Sequence, residues 1–199
     1  MSYFFSSESV SEGHPDKVCD QVSDAILDAM LAQDKYSRVA CETTCTTGMV
    51  MVMGEITTTA QVNIPEIVRQ VVCDIGFDNP ECGFDGNSCA VFTTLDKQSA
   101  DIAMGVDKSF ELKGGQEDTY NLNGAGDQGM MYGYATNETV ELLPIPFMVA
   151  TKFLEILKNH PSKMFRADAK AQVSFDYDSG KITTFLCSVQ HSPDVEVSD

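Results

Sequence analysis

"RVACETTCTTGMVMVMGEITTTA", residues 38–60, decides the fold class. Residues 38–46 and 49–60 are two runs rich in Val, Thr and Met, parted by Thr47-Gly48, and this pattern predicts a β-hairpin. Just before it, "GHPDKVCDQVSDAILDAMLAQD", residues 13–34, has a helical period. Pro15 suits the first helical position, and Asp16 complements the dipole in the first turn. Val18, Val22, Ala25, Ile26 and Ala29 form an apolar face, while Asp16, Asp20, Asp24 and Asp28 recur every four residues on a solvated one. A helix followed by a hairpin is therefore the unit to look for elsewhere.

Downstream, "NIPEIVRQVVCDIG" (63–76) predicts a helix with Pro65 near its start and Gly76 at its end. "DNPECGFDGN" (78–87) reads as a loop and "SCAVFTTLD" (88–96) as a further strand. Residues 97–123 are polar and weakly periodic, the profile of a long functional connection. "MMYGYATNE" (130–138) then predicts a strand, "PIPFMVATKFLEILKN" (144–159) a helix, and "AKAQVSFDYDSGKITTFLCSVQH" (169–191) a second hairpin turning at Asp178-Ser179-Gly180. Helix then hairpin occurs twice, so the fold class is α+β, built from repeated units of helices on one face of a sheet.

Composition narrows the function. The chain has 199 residues and 43% hydrophobic content, enough for a real core. A net charge of −17 makes nucleic acid and anionic membranes poor partners. A phosphate ligand on such a surface calls for a mediating cation such as Mg²⁺. No run approaches a membrane span, and the N-terminus lacks the basic and apolar regions of a signal peptide. Seven cysteines without a C-x-x-C, and only three histidines, point to a reduced, cytoplasmic protein rather than a zinc or disulfide scaffold.

Two motifs carry chemistry. "GAGDQG" (124–129) spells G-x-G-x-x-G, but no strand precedes it, no helix follows it, and Asp127 would repel a pyrophosphate. Asp127 on a Gly-rich bend is the working candidate, with an ordinary turn as the plainer alternative. "SEGHPDK" (11–17) sets His14, Asp16 and Lys17 at one helix start, where free N–H groups favour an anion. Lys17 adds charge, Asp16 suits a metal, and His14 can donate a hydrogen bond; a solvated helix cap is the plainer alternative. Glu42 and Glu55 stand in the hairpin strands, where a buried carboxylate would need a partner and an exposed edge would not.

Taken in order from Phe5 to about Ser192, "FSSESVSEGHPDKVCDQVSDAILDA", "RVACETTCTTGMV", "GEITTTA", "GFDGNSCAV", "KQSADIAMGVD", "GAGDQGMMYGYATNE", "RADAKAQV" and "SVQHS" resemble the S-adenosylmethionine synthetase (methionine adenosyltransferase) family. The resemblance implies formation of S-adenosylmethionine from ATP and L-methionine, with release of phosphate and diphosphate. It implies catalytic roles for His14 and Lys17, and ATP contacts from His14, Asp127, Asp168, Ala169 and Lys170. Glu55 and Gln98 would bind methionine, Asp16 Mg²⁺, and Glu42 K⁺. Gln98–Asp107 is similar to the loop that gates the site. A homodimer or dimer of dimers is also implied. The expected organisation is an amino-terminal domain at 1–101, a mobile loop and linker at 102–123, and a central domain at 124–199. Residues 108–123 form an insert, and the family's third helix-and-hairpin unit has no counterpart in this sequence. The other reading is a truncated, non-catalytic relative that binds nucleotide or partners a full-length subunit.

Overall fold

The computed structural model describes residues 3–106, 109, 114–115, 129–162 and 164–196. In chain order the elements are β1 (Phe4–Val10), α1 (Pro15–Leu31), β2 (Arg38–Thr46), β3 (Met49–Thr57), α2 (Ile64–Ile75), β4 (Ala90–Asp96), α3 (Ala100–Val106), α4 (Ile145–Lys158), β5 (Phe165–Asp176) and β6 (Lys181–His191). They form two three-stranded sheets, ordered β2-β3-β4 and β1-β5-β6.

In the first sheet, β2 and β3 pair antiparallel as the hairpin reading requires, turning at Gly48 with φ 77°. β3 and β4 pair parallel, a relation that needs a crossover, and α2 lies between them in the chain. The helix ends follow local chemistry. Asn63 caps α2 through its side chain, Pro15 and Pro65 sit in first turns, and Gly76 closes α2 in the left-handed region at φ 111°. Of the predicted stripe of α1, Val18, Val22 and Ile26 are buried and, joined by Met30, pack with Val50, Val52, Ile56, Val68 and Val72, while Ala25 and Ala29 are half-buried. Asp16, Asp20, Asp24 and Asp28 are exposed. Burying each large aliphatic chain here contributes about 1.5–3 kcal/mol.

The second sheet has a smaller core. α4 lays Ala150 and Leu154 on Ala169, Ala171 and Val173 of β5. Among the described residues, helices cover one face of each sheet. Glu42, Glu55, Phe92 and Asp96 stand exposed on the other face of the first, and Phe4, Glu8, Lys170 and Leu186 on the other face of the second.

Four features differ from the sequence reading or add to it. β1, unforeseen, pairs antiparallel with β5 over separations of 160 to 172 residues, from Phe4↔Asp176 to Val10↔Lys170. Residues 130–138 are not a strand: Met130, Met131, Tyr132 and Tyr134 are exposed, and β propensity alone does not make a strand. The polar connection that starts at Lys97 opens with the short helix α3 rather than loop. The predicted 88–96 strand begins at Ala90, after Asp85 has bound the Ser88 hydroxyl and the Cys89 N–H in a turn.

Candidate active site

A seam between β1, the α1 start and β5 places most of the candidate residues. Ser11 N–H donates to the Ala169 carbonyl at 2.8 Å, and Gly13 N–H donates to the Ala167 carbonyl at 3.2 Å. Ser11 Oγ donates to the Ala167 carbonyl at 2.6 Å and accepts from Ala169 N–H at 2.6 Å. Gly13 is buried, and a Cβ on it would lie 2.5 Å from the Ala167 carbonyl carbon, so only glycine permits this approach. These bonds stitch residues 11–14 onto 167–169.

His14 follows directly as the N-cap of α1. Its Nδ1 accepts from Asp16 N–H at 3.2 Å. An acceptor Nδ1 puts the proton of a neutral ring on Nε2, which is then a donor free to face a ligand. Asp168 lies within the field of His14: burial pushes its carboxyl above the ordinary range, and His14 partly offsets this. Asp16 Oδ2 is 3.6 Å from His14 Nδ1, and its side chain is 80% exposed, open to an incoming cation. Lys17 Nζ donates to Asp20 at 2.9 Å, and Asp20 holds the ammonium above its usual range. Such an exposed i,i+3 pair is worth only about 0.5 kcal/mol, so Lys17 can be released to a ligand.

On β5, Ala169 is buried under α4, and its N–H and carbonyl are both engaged by Ser11. Lys170 is exposed and ion-paired to Glu8 on β1. Glu8 and Ser11 were not singled out from the sequence. Nothing local marks them; both gain their meaning from the long-range pairing of β1 with β5.

The remaining candidates sit apart. Glu42 and Glu55 lie on the open face of the first sheet as diagonal neighbours, with Glu55 opposite Ala40 and Glu42 opposite Met53. Being exposed, neither carries the desolvation cost a buried strand carboxylate would. Across the β3–β4 ladder Glu55 faces Asp96, two residues before the half-buried Gln98. Two like charges in register repel and favour a cation between them. Among the described residues, no hydrogen bond or ion pair joins Glu42 or Glu55 to the His14 group, and no three His, Cys, Asp or Glu side chains converge as a metal cage. Asp127 lies outside the described residues.

A cavity of about 740 Å³ opens beside the seam, lined among others by Glu12, Ile75, Leu154, Lys158 and Arg166. Of the described candidate residues only Ala169 reaches it, so the cavity is distinct from the His14 group. Among the described residues no helix is long and apolar enough to cross a membrane.

The chain matches two family models: "S-adenosylmethionine synthetase, N-terminal domain" over residues 2–100, and "S-adenosylmethionine synthetase, central domain" over residues 122–199. It is 52% identical over 204 residues to S-adenosylmethionine synthase of Clostridium botulinum (strain Alaska E43 / Type E3), which covers 99% of this chain and 52% of the relative. It is 52% identical over 200 residues to S-adenosylmethionine synthase of Finegoldia magna (strain ATCC 29328 / DSM 20472 / WAL 2508), covering 97% of this chain and 51% of that protein. The chain thus spans about half the length of the curated relatives it matches. With two domain models of one family in tandem, on two sheet-and-helix units joined by the β1–β5 seam, the chain belongs to the S-adenosylmethionine synthetase family.

Proposed function

We propose that the chain supplies the amino-terminal and central domains of a methionine adenosyltransferase, which joins ATP to L-methionine and releases phosphate and diphosphate. The observation that carries this reading is the seam: it aligns the N-terminus of α1, with His14, Asp16 and Lys17, beside Asp168 on β5. A thioether sulfur bears no proton, so its attack on the ribose C5′ needs no general base. The reaction asks for alignment and for stabilisation of a polyanionic leaving group. His14 offers Nε2–H to the leaving oxygen. Lys17, and Lys170 once it exchanges Glu8 for a ligand, offer ammonium groups to the phosphates. Glu55, beside Asp96, suits the methionine ammonium, and Gln98 stands close in sequence to that pair.

Mg²⁺ and K⁺ belong to the same reading. One exposed carboxylate completed by substrate oxygens is how Mg²⁺ is commonly held, and Asp16 fits that mode; Glu42 offers an exposed carboxylate for K⁺. When bound, these ions supply positive charge to the polyphosphate. Asp127 and a gate over residues 98–107 complete the proposed site. The division at 1–101, 102–123 and 124–199, a dimer or dimer of dimers, and a cytoplasmic location extend the proposal.

The test is product formation. The purified chain is incubated with ATP, methionine, Mg²⁺ and K⁺, alone and with the separately expressed second half of the botulinum relative, and S-adenosylmethionine is measured by mass spectrometry. Product on reconstitution supports the reading. No product in either case sinks it and favours the non-catalytic relative. In the active assembly, His14→Asn should cut turnover about 10²–10³-fold, the usual cost of losing one such donor. Asparagine caps helices well, so the melting temperature should stay unchanged. Unaltered turnover would remove His14 from the site.

A further inference from the structure

A largely buried guanidinium lines the cavity beside the seam. Arg166, at the start of β5, has a side chain only 15% exposed. Its Nη1 donates to Cys82 Sγ, and a thiol sulfur is a weak acceptor. The Glu81 carboxylate stands 3.9 Å from Nη2, beyond hydrogen-bond reach, and is itself 70% exposed. Among the described residues no oxygen accepts a hydrogen bond from this group, although a guanidinium carries five N–H donors in a fork that fits a carboxylate. A buried charge left in this state is costly, and an incoming anion is what would satisfy it.

The cavity around it measures about 740 Å³, inside the range of about 300–1,000 Å³ usual for small-molecule sites. Ile75, Leu154, Leu157 and Phe165 give it an apolar wall. Glu12 on its lining is neutralised by Lys158. Asp78 and Glu155 line it while standing exposed, which puts their charges at its mouth. α2 and α4 both end against it, and a helix C-terminus carries partial negative charge. One inner cation behind a negative mouth admits a single carboxylate and repels a polyanion. We propose that this cavity binds a small organic monocarboxylate with an apolar body, its carboxylate on Arg166 and its body on the wall from Ile75 to Phe165. Ser11, Ala167 and Ala169 line the cavity and also carry the bonds of the seam. A bound acid should therefore steady those bonds.

This inference stands whether or not the chain makes S-adenosylmethionine, and its readouts need no turnover. The purified chain, carrying methyl-labelled Ile and Leu, is titrated to millimolar concentration with 3-phenylpropionate, with 3-phenylpropionamide and with inorganic phosphate. The acid should shift the methyl signals of Ile75, Leu154 and Leu157 in the NMR spectrum, while the amide and phosphate leave them in place. Amide exchange at Ser11 and Gly13 should slow with the acid alone. Arg166→Gln should weaken binding of the acid about ten- to a hundredfold, the usual cost of losing a hydrogen bond to a charged group. Should that variant fail to fold, the contrast between acid and amide in the parent chain still decides. Equal shifts from acid and amide would overturn the proposal, since the cavity would then be an apolar pocket without an anion site. Shifts from phosphate at least as large as those from the acid would overturn the monocarboxylate class. No shift at these three methyls with any probe would sink the site altogether.

Discussion

The sheet β2-β3-β4 is roofed by α1 and α2, and its core is a continuous block of large aliphatic chains, Val22, Ile26, Val50, Val52, Val68 and Val72 among them. Among the described residues the sheet β1-β5-β6 is roofed by α4, and three of the five residues of its packed cluster are alanines, with Met148 and Phe175 buried beside them in sequence. The first unit closes on side chains from one stretch of sequence. The second borrows a strand and a hydrogen-bonded corner from the far end of the chain, β1 and Ser11–Gly13. Other bonds tie the units as well: Gln190 Nε2 donates to the Cys82 carbonyl at 2.7 Å, and Lys158 pairs with Glu12. Apolar burial organises one unit; the other depends on backbone and polar stitching. The candidate site lies along that stitching, which makes the proposed chemistry sensitive to a seam rather than to a core.

The contrast is tested most strongly by matched truncations. Ile26→Ala and Leu154→Ala remove similar side chains from buried positions in the two units. Such changes cost about 2–5 kcal/mol, least where the surroundings can collapse. Ile26→Ala should fall in the upper part of that range and Leu154→Ala in the lower part, read as urea midpoints at constant m. Equal losses would mean that the second core is as rigidly packed as the first.

Next in size is Gly13→Ala. The added methyl meets Ala167 backbone and side chain within about 2.5–2.7 Å, so the seam must open, at about 1–3 kcal/mol. The damage should be uneven. Hydrogen exchange should quicken at Ala169 and along β1–β5, while Val50 and Val52 of β3 stay protected. Uniform loss of protection would show that both units open as one and that the seam is no separate hinge.

Much of this architecture is legible from local signals. The four-residue apolar period of α1, Pro15, Asn63 and Gly76 at helix ends, and Gly48 and Gly180 at the hairpin turns each act through neighbours a few residues away. What the sequence hides is non-local. Ser6 meets Ser174, Glu8 holds Lys170, and Ser11 binds residues 167–169, and no period or cap encodes which distant strand β1 will join. Residues 130–138 show the converse: a good strand composition joins neither sheet. For the candidate site, the residue types of "SEGHPDK" read as an anion-binding helix start and the family resemblance names Asp168 and Lys170, but their place on the strand that binds Ser11 and Gly13 emerges only once the seam is drawn. The separation of Glu42 and Glu55 from that cluster is likewise a fact of sheet faces, invisible in a linear reading.

The smallest expected effect lies at Asp168, and its sign tells what the seam is made of. Burial raises the folded-state pKa of this carboxyl above its unfolded value, with His14 only partly offsetting it. The folded chain then holds the proton more tightly than the unfolded one. Its contribution is fully present below the ordinary carboxylate range and is lost as pH rises through the folded pKa. Asp34 and Glu138 behave oppositely, since hydrogen bonds hold their carboxyls below the usual range, and that stability is lost as pH falls. Those groups are common to the parent and to Asp168→Asn, so they cancel in the difference between the two. Urea midpoints measured across pH should coincide in acid and then diverge slightly, with Asp168→Asn the more stable at neutral pH. If the variant is instead the less stable at neutral pH, attraction to His14 outweighs burial, and the seam is held by charge as well as by the Ser11 and Gly13 bonds. An unbound site would then already be paired, and a ligand would have to displace that pairing rather than relieve a buried carboxylate.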